Sequence, residues 1–469
     1  MNLFLNLNKF SSNICVIDEN QNKFTYNDLI NFSDKITSKI KTRSVVFLIC
    51  SNTYEFLASY VGLVRKKVVI FLVGKNIKED DLDKLLKLYK PKFIIKPINM
   101  KFNILNLKEV DNVNNRFQIL QTKNKIYKVQ NNLALLVSTS GSTGSAKFVK
   151  ISYTNIFDNA KKISNFLKIS STDVAITTLQ PNYIYGLSIL NSHIIKGATI
   201  VMNQLSLVEK KFWDLFKKTK VTTFGGVPYT YDILKKLKFN QMKLPHLRYI
   251  TQAGGKLSLE LLDDFIKICK TKKIKLIIMY GQTEATGRIS YLDWNFIDKK
   301  RGSIGKPIKG GKFYLYNNKK NKTDTDLGIG ELVYTGKNVM LGYANKKSDL
   351  NIINYKKKLF TGDLGRKDND GFYFIEGRNN RLIKITGHRF NLDEIEEGLR
   401  KKNINCICTG FDDNLKIFLQ KQASHNVLNK FIKKKYNINK TNYLIYENIN
   451  IPRNENGKIL YTKLNEIEK

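Results

Sequence analysis

The sequence predicts an α/β protein: a large N-terminal multi-sheet α/β domain with a β-rich subdomain, followed by a small α+β C-terminal domain. Three observations predict it. Short apolar runs alternate with longer amphipathic, lysine-rich segments, as in strands joined to parallel neighbours through helices. A glycine-punctuated stretch of alternating residues, "DTDLGIGELVYTG" at 324–336, then signals β-rich structure. From about residue 380 a shorter strand–helix–strand–strand–helix series begins.

Taken in order, "SVVFLICS" (44–51), "KVVIFLVG" (67–74) and "KFIIKP" (92–97) read as strands. "TYEFLASYVGLVRK" (53–66) and "EDDLDKLLKLYK" (79–90) have helical spacing, so mainly parallel strands are expected. "LALLVS" (133–138) is a further strand. In the last part, "LIKITG" (382–387), "INCICTGF" (404–411) and "LKIFLQ" (415–420) read as strands. "NLDEIEEGLRKK" (391–402) and "VLNKFIKKKY" (427–436) read as helices. No internal repeat or low-complexity linker interrupts the chain. The predicted division is a large domain over 1–379 and a small one over 380–469.

Composition excludes several classes. A chain of 469 residues with 42% hydrophobic residues has enough apolar surface for a large core and is not disordered. The N-terminus lacks a basic start followed by an apolar run, so no signal peptide is expected. The longest apolar region, "YVGLVRKKVVIFLV", is cut by Arg65, Lys66 and Lys67, which argues against stable membrane insertion. Cys15, Cys50, Cys269, Cys406 and Cys408 are odd in number and lack metal spacing; they read as reduced, structural residues of a cytoplasmic protein. The formal net charge of +40 comes from lysines scattered over polar faces rather than from an arginine-rich patch. No nucleic-acid partner is therefore expected. The charge would still attract an acidic partner or a polyphosphate.

"TSGSTGSAK" (139–147) supplies small residues, backbone N–H groups and a cation, the ingredients of a phosphate-holding loop. The strand before it would let the loop leave a rigid edge. It is not a Walker loop, because Ser145 and Ala146 separate Gly144 from Lys147. It contains no Gly-x-Ser-x-Gly elbow of a serine hydrolase. On these residues alone, a mobile surface turn is the stronger reading.

The stretch has company. "YGQTEAT" (280–286), "GELVYTGKNVMLGY" (330–343), "TGDLGRKDNDGFYFIEGR" (361–378), "KITGHRFNLDEIE" (384–396) and "PRNENGK" (452–458) follow it in order. Together with "LVSTSGSTGSAK" they resemble the ordered signatures of the acyl-adenylate-forming, AMP-dependent synthetase and ligase superfamily, and in particular its acyl-CoA synthetases and acyl-AMP ligases. "TYNDLI" (25–30) and "NTYEFLASYVG" (52–62) are similar to its N-terminal helices, so the resemblance spans nearly the whole chain. It implies the adenylate-forming enzyme fold with a mobile C-terminal domain. The implied activity is attack of a carboxylate on the α-phosphate of ATP, with magnesium, followed by transfer of the acyl group to coenzyme A or to the phosphopantetheine arm of an acyl carrier protein.

The resemblance also implies site residues. Thr139, Ser140, Gly141, Ser142, Thr143, Gly144 and Lys147 would hold the leaving pyrophosphate. In "YGQTEAT", Thr283 would touch the α-phosphate and Glu284 would ligate magnesium, within the turn formed by Gly281 and Gln282. Tyr280 would stack on adenine, with Gly254 and Gly255 of "AGGK" forming the opposite wall. Asp363 would accept hydrogen bonds from the ribose hydroxyls, a task suited to a carboxylate, and Arg378 would add a second ribose or phosphate contact. Lys458 would bridge carboxylate, α-phosphate and ribose oxygen as charge develops. Asn380 falls on the family's hinge, where Asp or Lys is usual, and Lys384 belongs to the face presented for thioester formation.

Two positions depart from the first signature: Ala146 replaces a usual Pro and Phe148 a usual Gly. The acid site is expected around "LQPNYIYGLSILNSHIIKGATIV" (179–201), with Tyr183, Tyr185, Val227 and Gly255 lining it. Relatives that activate α-amino acids place an Asp in this region to hold the ammonium group; none occurs between residues 179 and 190, so a small non-amino carboxylic acid is expected. The alternatives are a ligase that loads only a carrier protein, an amino-acid-activating enzyme, and a non-catalytic nucleotide-binding homologue.

Overall fold

The computed structural model describes residues 3–101, 107–113, 115–139, 147–317, 322–324, 328–352, 358–454, 457 and 459–467. Two large sheets face each other across a layer of helices. The smaller sheet has eight strands, in the order Tyr343–Ala344, Phe148–Ser152, Leu133–Ser138, Val69–Gly74, Val45–Cys50, Phe93–Pro97, Phe117–Gln121, Lys108–Val113. Its centre is parallel. In Val45–Cys50, Val46, Leu48 and Cys50 enter the core between the sheets, and Val45, Phe47 and Ile49 enter a second core on the other face. A strand covered on both faces needs no polar alternation, which is why its sequence is one apolar run.

The larger sheet has fourteen strands. Ile14–Asp18, Thr199–Met202, Val174–Ile176, Thr223–Gly226, Tyr249–Gln252 and Lys275–Tyr280 are neighbours in that order and run parallel. From Ser290–Leu292 onward the sheet continues antiparallel through Ser303–Pro307, Tyr373–Arg378, Leu359–Lys367 and Gly330–Thr335 to Lys312–Asn317 and Lys322–Asp324. The β-rich region is thus an extension of the main sheet, and the expectation of mainly parallel strands holds only for the two sheet centres. Antiparallel strands need only short connections and can lengthen a sheet without crossover helices.

Helices Tyr26–Thr37, Tyr54–Arg65, Tyr153–Phe166 and Ile184–Ile194 fill the space between the sheets. Thr25 and Asp28 form a reciprocal capping box that starts the first of them. Tyr54–Arg65 is buried almost all round; a Cβ on its Gly62 would lie 2.5 Å from the Ser33 carbonyl, so glycine permits the two helices to touch.

Beyond Arg378 the short turn Asn379–Arg381 leads into two small sheets. Leu382–Ile385 pairs with His388–Asn391 across Thr386 and Gly387, whose φ values of 48° and 81° suit a tight hairpin. Asn391 caps helix Leu392–Arg400. Cys406–Phe411 pairs antiparallel with Asn414–Leu419, and Tyr443–Tyr446 joins that strand in parallel. All five cysteines are free and buried, with Cys406 and Cys408 two residues apart on one strand.

Candidate active site

The Ser/Thr/Gly-rich segment connects two adjacent antiparallel strands. Ser138 pairs with Phe148, and the Thr139 N–H donates to the Lys147 carbonyl at 2.9 Å. The segment therefore joins two neighbouring strands, neither of which is the edge of the sheet, because Tyr343–Ala344 covers Phe148–Ser152. Ser140, Gly141, Ser142, Thr143, Gly144 and Ala146 lie outside the described residues. Phe148 is a core residue, its ring 4.5 Å from Phe71 and 5.7 Å from Tyr89. The departure at this position thus adds packing and removes no polar group.

Lys147 is exposed and its Nζ lies 5.7 Å from the centre of the Tyr343 ring. Residues 341–344 are held there by the strand after the loop: Leu341 N–H donates to Lys150 O (2.8 Å), Lys150 N–H donates to Gly342 O (2.9 Å), and Tyr343 pairs with Val149. The Lys150 ammonium, buried, donates to the carbonyls of Asp349 and Ile352 at 2.7 Å each, fixing the next turn. The Tyr343 hydroxyl then donates to Glu284 Oε1 at 2.9 Å. Burial, and next the Glu284 carboxylate, push that hydroxyl's pKa up and keep it a donor.

Glu284 and Thr283 sit in the turn after strand Lys275–Tyr280. Gly281 is required there, because a Cβ would lie 2.1 Å from the Gly287 carbonyl. The Gln282 carbonyl accepts from the N–H groups of Ala285 (3.0 Å) and Gly287 (3.1 Å). The buried Asn338 fastens the turn to the β-rich region, its Nδ2 donating to the carbonyls of Ala285 and Arg288 at 2.8 Å each. The Met340 N–H donates to Glu284 O at 2.9 Å.

At the start of the same turn, the Tyr280 hydroxyl donates to Asp363 Oδ2 at 2.5 Å. Asp363 pairs across the sheet with Arg378, whose Nε donates to Asp363 Oδ1 at 2.9 Å. The glycine wall follows strand Tyr249–Gln252, the parallel neighbour of the strand that ends at Tyr280. Gly254 has φ 84°, and a Cβ there would lie 2.3 Å from the Tyr183 hydroxyl and 3.1 Å from Val227. A Cβ on Gly255 would lie 3.0 Å from the Pro228 ring, and Gln252 Nε2 donates to Gly255 O at 2.7 Å.

Behind the wall is a small cavity with room for about one water molecule, lined by Tyr185, Ser188, His193, Thr251, Met279 and Arg288 among others. Of the four expected lining residues, Tyr185 lines it, whereas Tyr183, Val227 and Gly255 form the wall itself. The lining contains no carboxylate.

The C-terminal loop reaches the same region. Arg453 bridges to Ile459, donates from Nη1 to Gly457 O at 2.9 Å, and holds its guanidinium 5.3 Å from the Tyr229 ring centre. A Cβ on Gly457 would lie 2.8 Å from Tyr229 Cβ, so the loop rests on the first turn of helix Pro228–Lys236, next to the glycine wall. Lys458 itself lies outside the described residues. Lys384 stands apart. It is exposed on the hairpin after residue 381, and its backbone bonds run to Asp412 and Asp413.

The sequence argument missed Tyr343, Arg288 and Tyr229. Tyr343 closes a quoted motif and Arg288 is a lone cation in the otherwise weakly polar "TGRISYL"; those were the available signals. Among the described residues no group of three His, Cys, Asp or Glu side chains could hold a resident metal. A single carboxylate such as Glu284 suits magnesium that arrives with nucleotide phosphates, since that ion takes few protein ligands.

Comparisons with known proteins agree with this geometry. A family model for AMP-binding enzymes matches residues 3–344. The chain is 28% identical over 354 residues to a 2-succinylbenzoate–CoA ligase of Bacillus velezensis, covering 73% of this chain and 70% of that protein. It is 27% identical to an oxalate–CoA ligase of Saccharomyces cerevisiae over 56% of this chain and 48% of that one. Its fold matches o-succinylbenzoate CoA synthetase from Bacillus subtilis in complex with its acyl-adenylate intermediate, with a TM-score of 0.80, 21% identity, and coverage of 100% and 98% of the two chains. With a family match over most of its length, the chain belongs to the AMP-binding enzyme family.

Proposed function

We propose that the protein activates a small non-amino carboxylic acid with ATP, releasing pyrophosphate, and then passes the acyl group from AMP to a thiol. The observation that carries this reading is the convergence on one turn, residues 280–287, of two polar clusters. One is Lys147–Tyr343–Glu284, and the other is Tyr280–Asp363–Arg378. The first joins a cation beside the Ser/Thr/Gly hairpin to a carboxylate suited to magnesium. The second offers a carboxylate to hydroxyl donors. Two anions meet in the first step, so fixed cations and oriented donors are the chemistry required.

In this reading Thr139, Lys147 and the hairpin between them hold the β- and γ-phosphates, Thr283 orients the α-phosphate, and Glu284 holds magnesium. The acid enters between the glycine wall and helix Ile184–Ile194. The absence of a carboxylate from the cavity lining supports a substrate without an ammonium group. The module after residue 379 then turns about Asn379–Arg381 and exchanges Lys458 for the face bearing Lys384; motions of this kind often limit turnover. Coenzyme A is the favoured acceptor, since the matched relatives are named CoA ligases. A carrier-protein phosphopantetheine is the other outcome of the acceptor test. No helix among the described residues is long and apolar enough to cross a membrane.

The test is acid-dependent exchange of labelled pyrophosphate into ATP with magnesium, followed by addition of coenzyme A or a carrier protein. Exchange that needs both acid and magnesium is the expected result. ATP binding with no exchange across fatty, aryl, hydroxy and dicarboxylic acids would leave a nucleotide binder.

A further inference from the structure

Glu284 is held at both ends by one distant segment. Its carbonyl accepts from the Met340 N–H at 2.9 Å, and its Oε1 accepts from the Tyr343 hydroxyl at 2.9 Å. Main chain and side chain are thus fixed from the same short stretch. Glu284 Oε2 has no hydrogen-bond partner among the described residues. Glu284 is half-buried, so that oxygen keeps access to a ligand arriving from solvent.

The stretch that carries Tyr343 is firmly mounted. Tyr343 pairs with Val149, and Ala344 with Phe148. The Ala344 carbonyl accepts from the buried Tyr89 hydroxyl at 3.0 Å. Just beyond, the Asp349 carboxylate accepts from the N–H groups of Asn345 (2.8 Å) and Lys346 (3.1 Å), while the Lys150 ammonium grips the Asp349 carbonyl. Tyr343 itself is 37% exposed, so filling a core is not its main contribution. Its side chain brings a donor to one carboxylate oxygen and an aromatic face to the Lys147 ammonium.

An unheld glutamate side chain spreads its carboxylate over many rotamers, and ordering it costs entropy. A hydrogen bond to the oxygen that a metal does not use orients the other one, and losing such a partner typically costs about 10–100-fold in metal affinity or activity. Magnesium bound with nucleotide phosphates takes only one or two protein carboxylates, so the aim of a single carboxylate matters.

We propose that Tyr343 is a positioning residue for magnesium: its hydroxyl holds Glu284 Oε1 so that Oε2 is presented to the ion that arrives with ATP. This rests on the reading of Glu284 as the magnesium carboxylate. Tyr343 acts through Glu284, and its firm mounting is what makes the aim reproducible.

The experiment titrates the full chain with ATP, once in EDTA and once in saturating magnesium. The ratio of the two dissociation constants reports what the metal adds to ATP binding, and it needs neither acid nor turnover. The variants are Tyr343→Phe, Glu284→Gln and the two combined. Tyr343→Phe keeps the ring beside Lys147 and the pairing with Val149, so only the hydroxyl is lost. The ratio should fall about tenfold or more in Tyr343→Phe. The constant in EDTA and the melting temperature of the free protein should stay at the parent values. Glu284→Gln should lower the ratio at least as far, and adding Tyr343→Phe to it should lower the ratio no further. A Tyr343→Phe or Glu284→Gln variant with the parent ratio would overturn the proposal. A further fall in the combined variant would do so too, because the hydroxyl would then act elsewhere than on Glu284. No pyrophosphate exchange with any acid would defeat the ligase reading alone, since the binding ratio still decides the role of Tyr343.

Discussion

Lys458→Ala should slow acid-dependent pyrophosphate exchange by about 10²–10³-fold, the usual loss when one donor that stabilises transition-state charge is removed. ATP binding should change little. The expectation comes from where the neighbours of Lys458 lie. Gly457 packs on Tyr229, and Arg453 stacks over the same ring while holding the Gly457 carbonyl. That places Gly457 beside the residue that follows Pro228, whose ring abuts Gly255 of the glycine wall. A cation delivered there meets the carboxylate and the α-phosphate as they approach. In the proposed reading Lys458 acts only while the bond to phosphorus forms, so thioester formation from a supplied acyl-adenylate should survive the substitution. A variant that exchanges pyrophosphate at the parent rate would remove Lys458 from the reaction. One that loses both half-reactions would mean the loop is structural.

Arg381→Met should destabilise the C-terminal module by about 3–5 kcal/mol, the cost of stranding one partner of a buried ion pair. Arg381 Nε contacts Asp393 Oδ1 at 2.5 Å, its Nη2 pairs with Glu396, and its Nη1 donates to the Cys408 carbonyl at 3.2 Å. The guanidinium also lies 4.5 Å from the Tyr461 ring centre. One side chain thus ties the turn Asn379–Arg381 to helix Leu392–Arg400, strand Cys406–Phe411 and helix Tyr461–Asn465. Without it, Glu396 would keep one donor, the Cys408 N–H at 2.8 Å. Burial already raises the Glu396 pKa, and Arg381 opposes that rise. Removing Arg381 raises it further. The folded variant then favours the protonated acid, a preference satisfied below the unfolded-state pKa of about 4 and lost as pH rises through the higher folded value. The stability gap between variant and parent should therefore narrow as pH falls toward 4. Denaturant unfolding at several pH values checks both claims. Adding Glu396→Leu should recover most of the loss. A single variant within 1 kcal/mol of the parent would show that the network carries no net stability.

The residues that announce themselves in sequence are those whose role is local. Val45–Cys50 and Val69–Gly74 were legible because a strand covered on both faces must be apolar throughout. Helix Leu392–Arg400 was legible from its spacing and its Asn391 cap. His388–Asn391 was missed because four residues, none of them buried, show too little alternation to mark a strand. The parallel edge strand Tyr443–Tyr446 was missed as well. The Ser/Thr/Gly-rich segment was legible as composition, whereas the covering of the strand after it was not, because that depends on pairing with the distant segment around Tyr343. Lys150 reaches across the same junction to Asp349, 199 residues away. Arg288 is the extreme case. The setting of its two open donors, Nε and Nη2, in a cavity lined from four strands and two helices, is a property of the folded chain, and no window of sequence contains it.

The five buried cysteines have a practical consequence. Burial pushes the Cys269 thiol up to about 12 and raises Cys15 further. A hydrogen bond with Cys406, and then burial, raise Cys408. Nucleophilic thiolate is therefore scarce at neutral pH, and the native fold shields the sulfurs from disulfide reagents. A chromogenic disulfide added to samples withdrawn from the reaction would report the acceptor's remaining sulfhydryl, so consumption of coenzyme A can be followed at timed intervals against a quiet protein background.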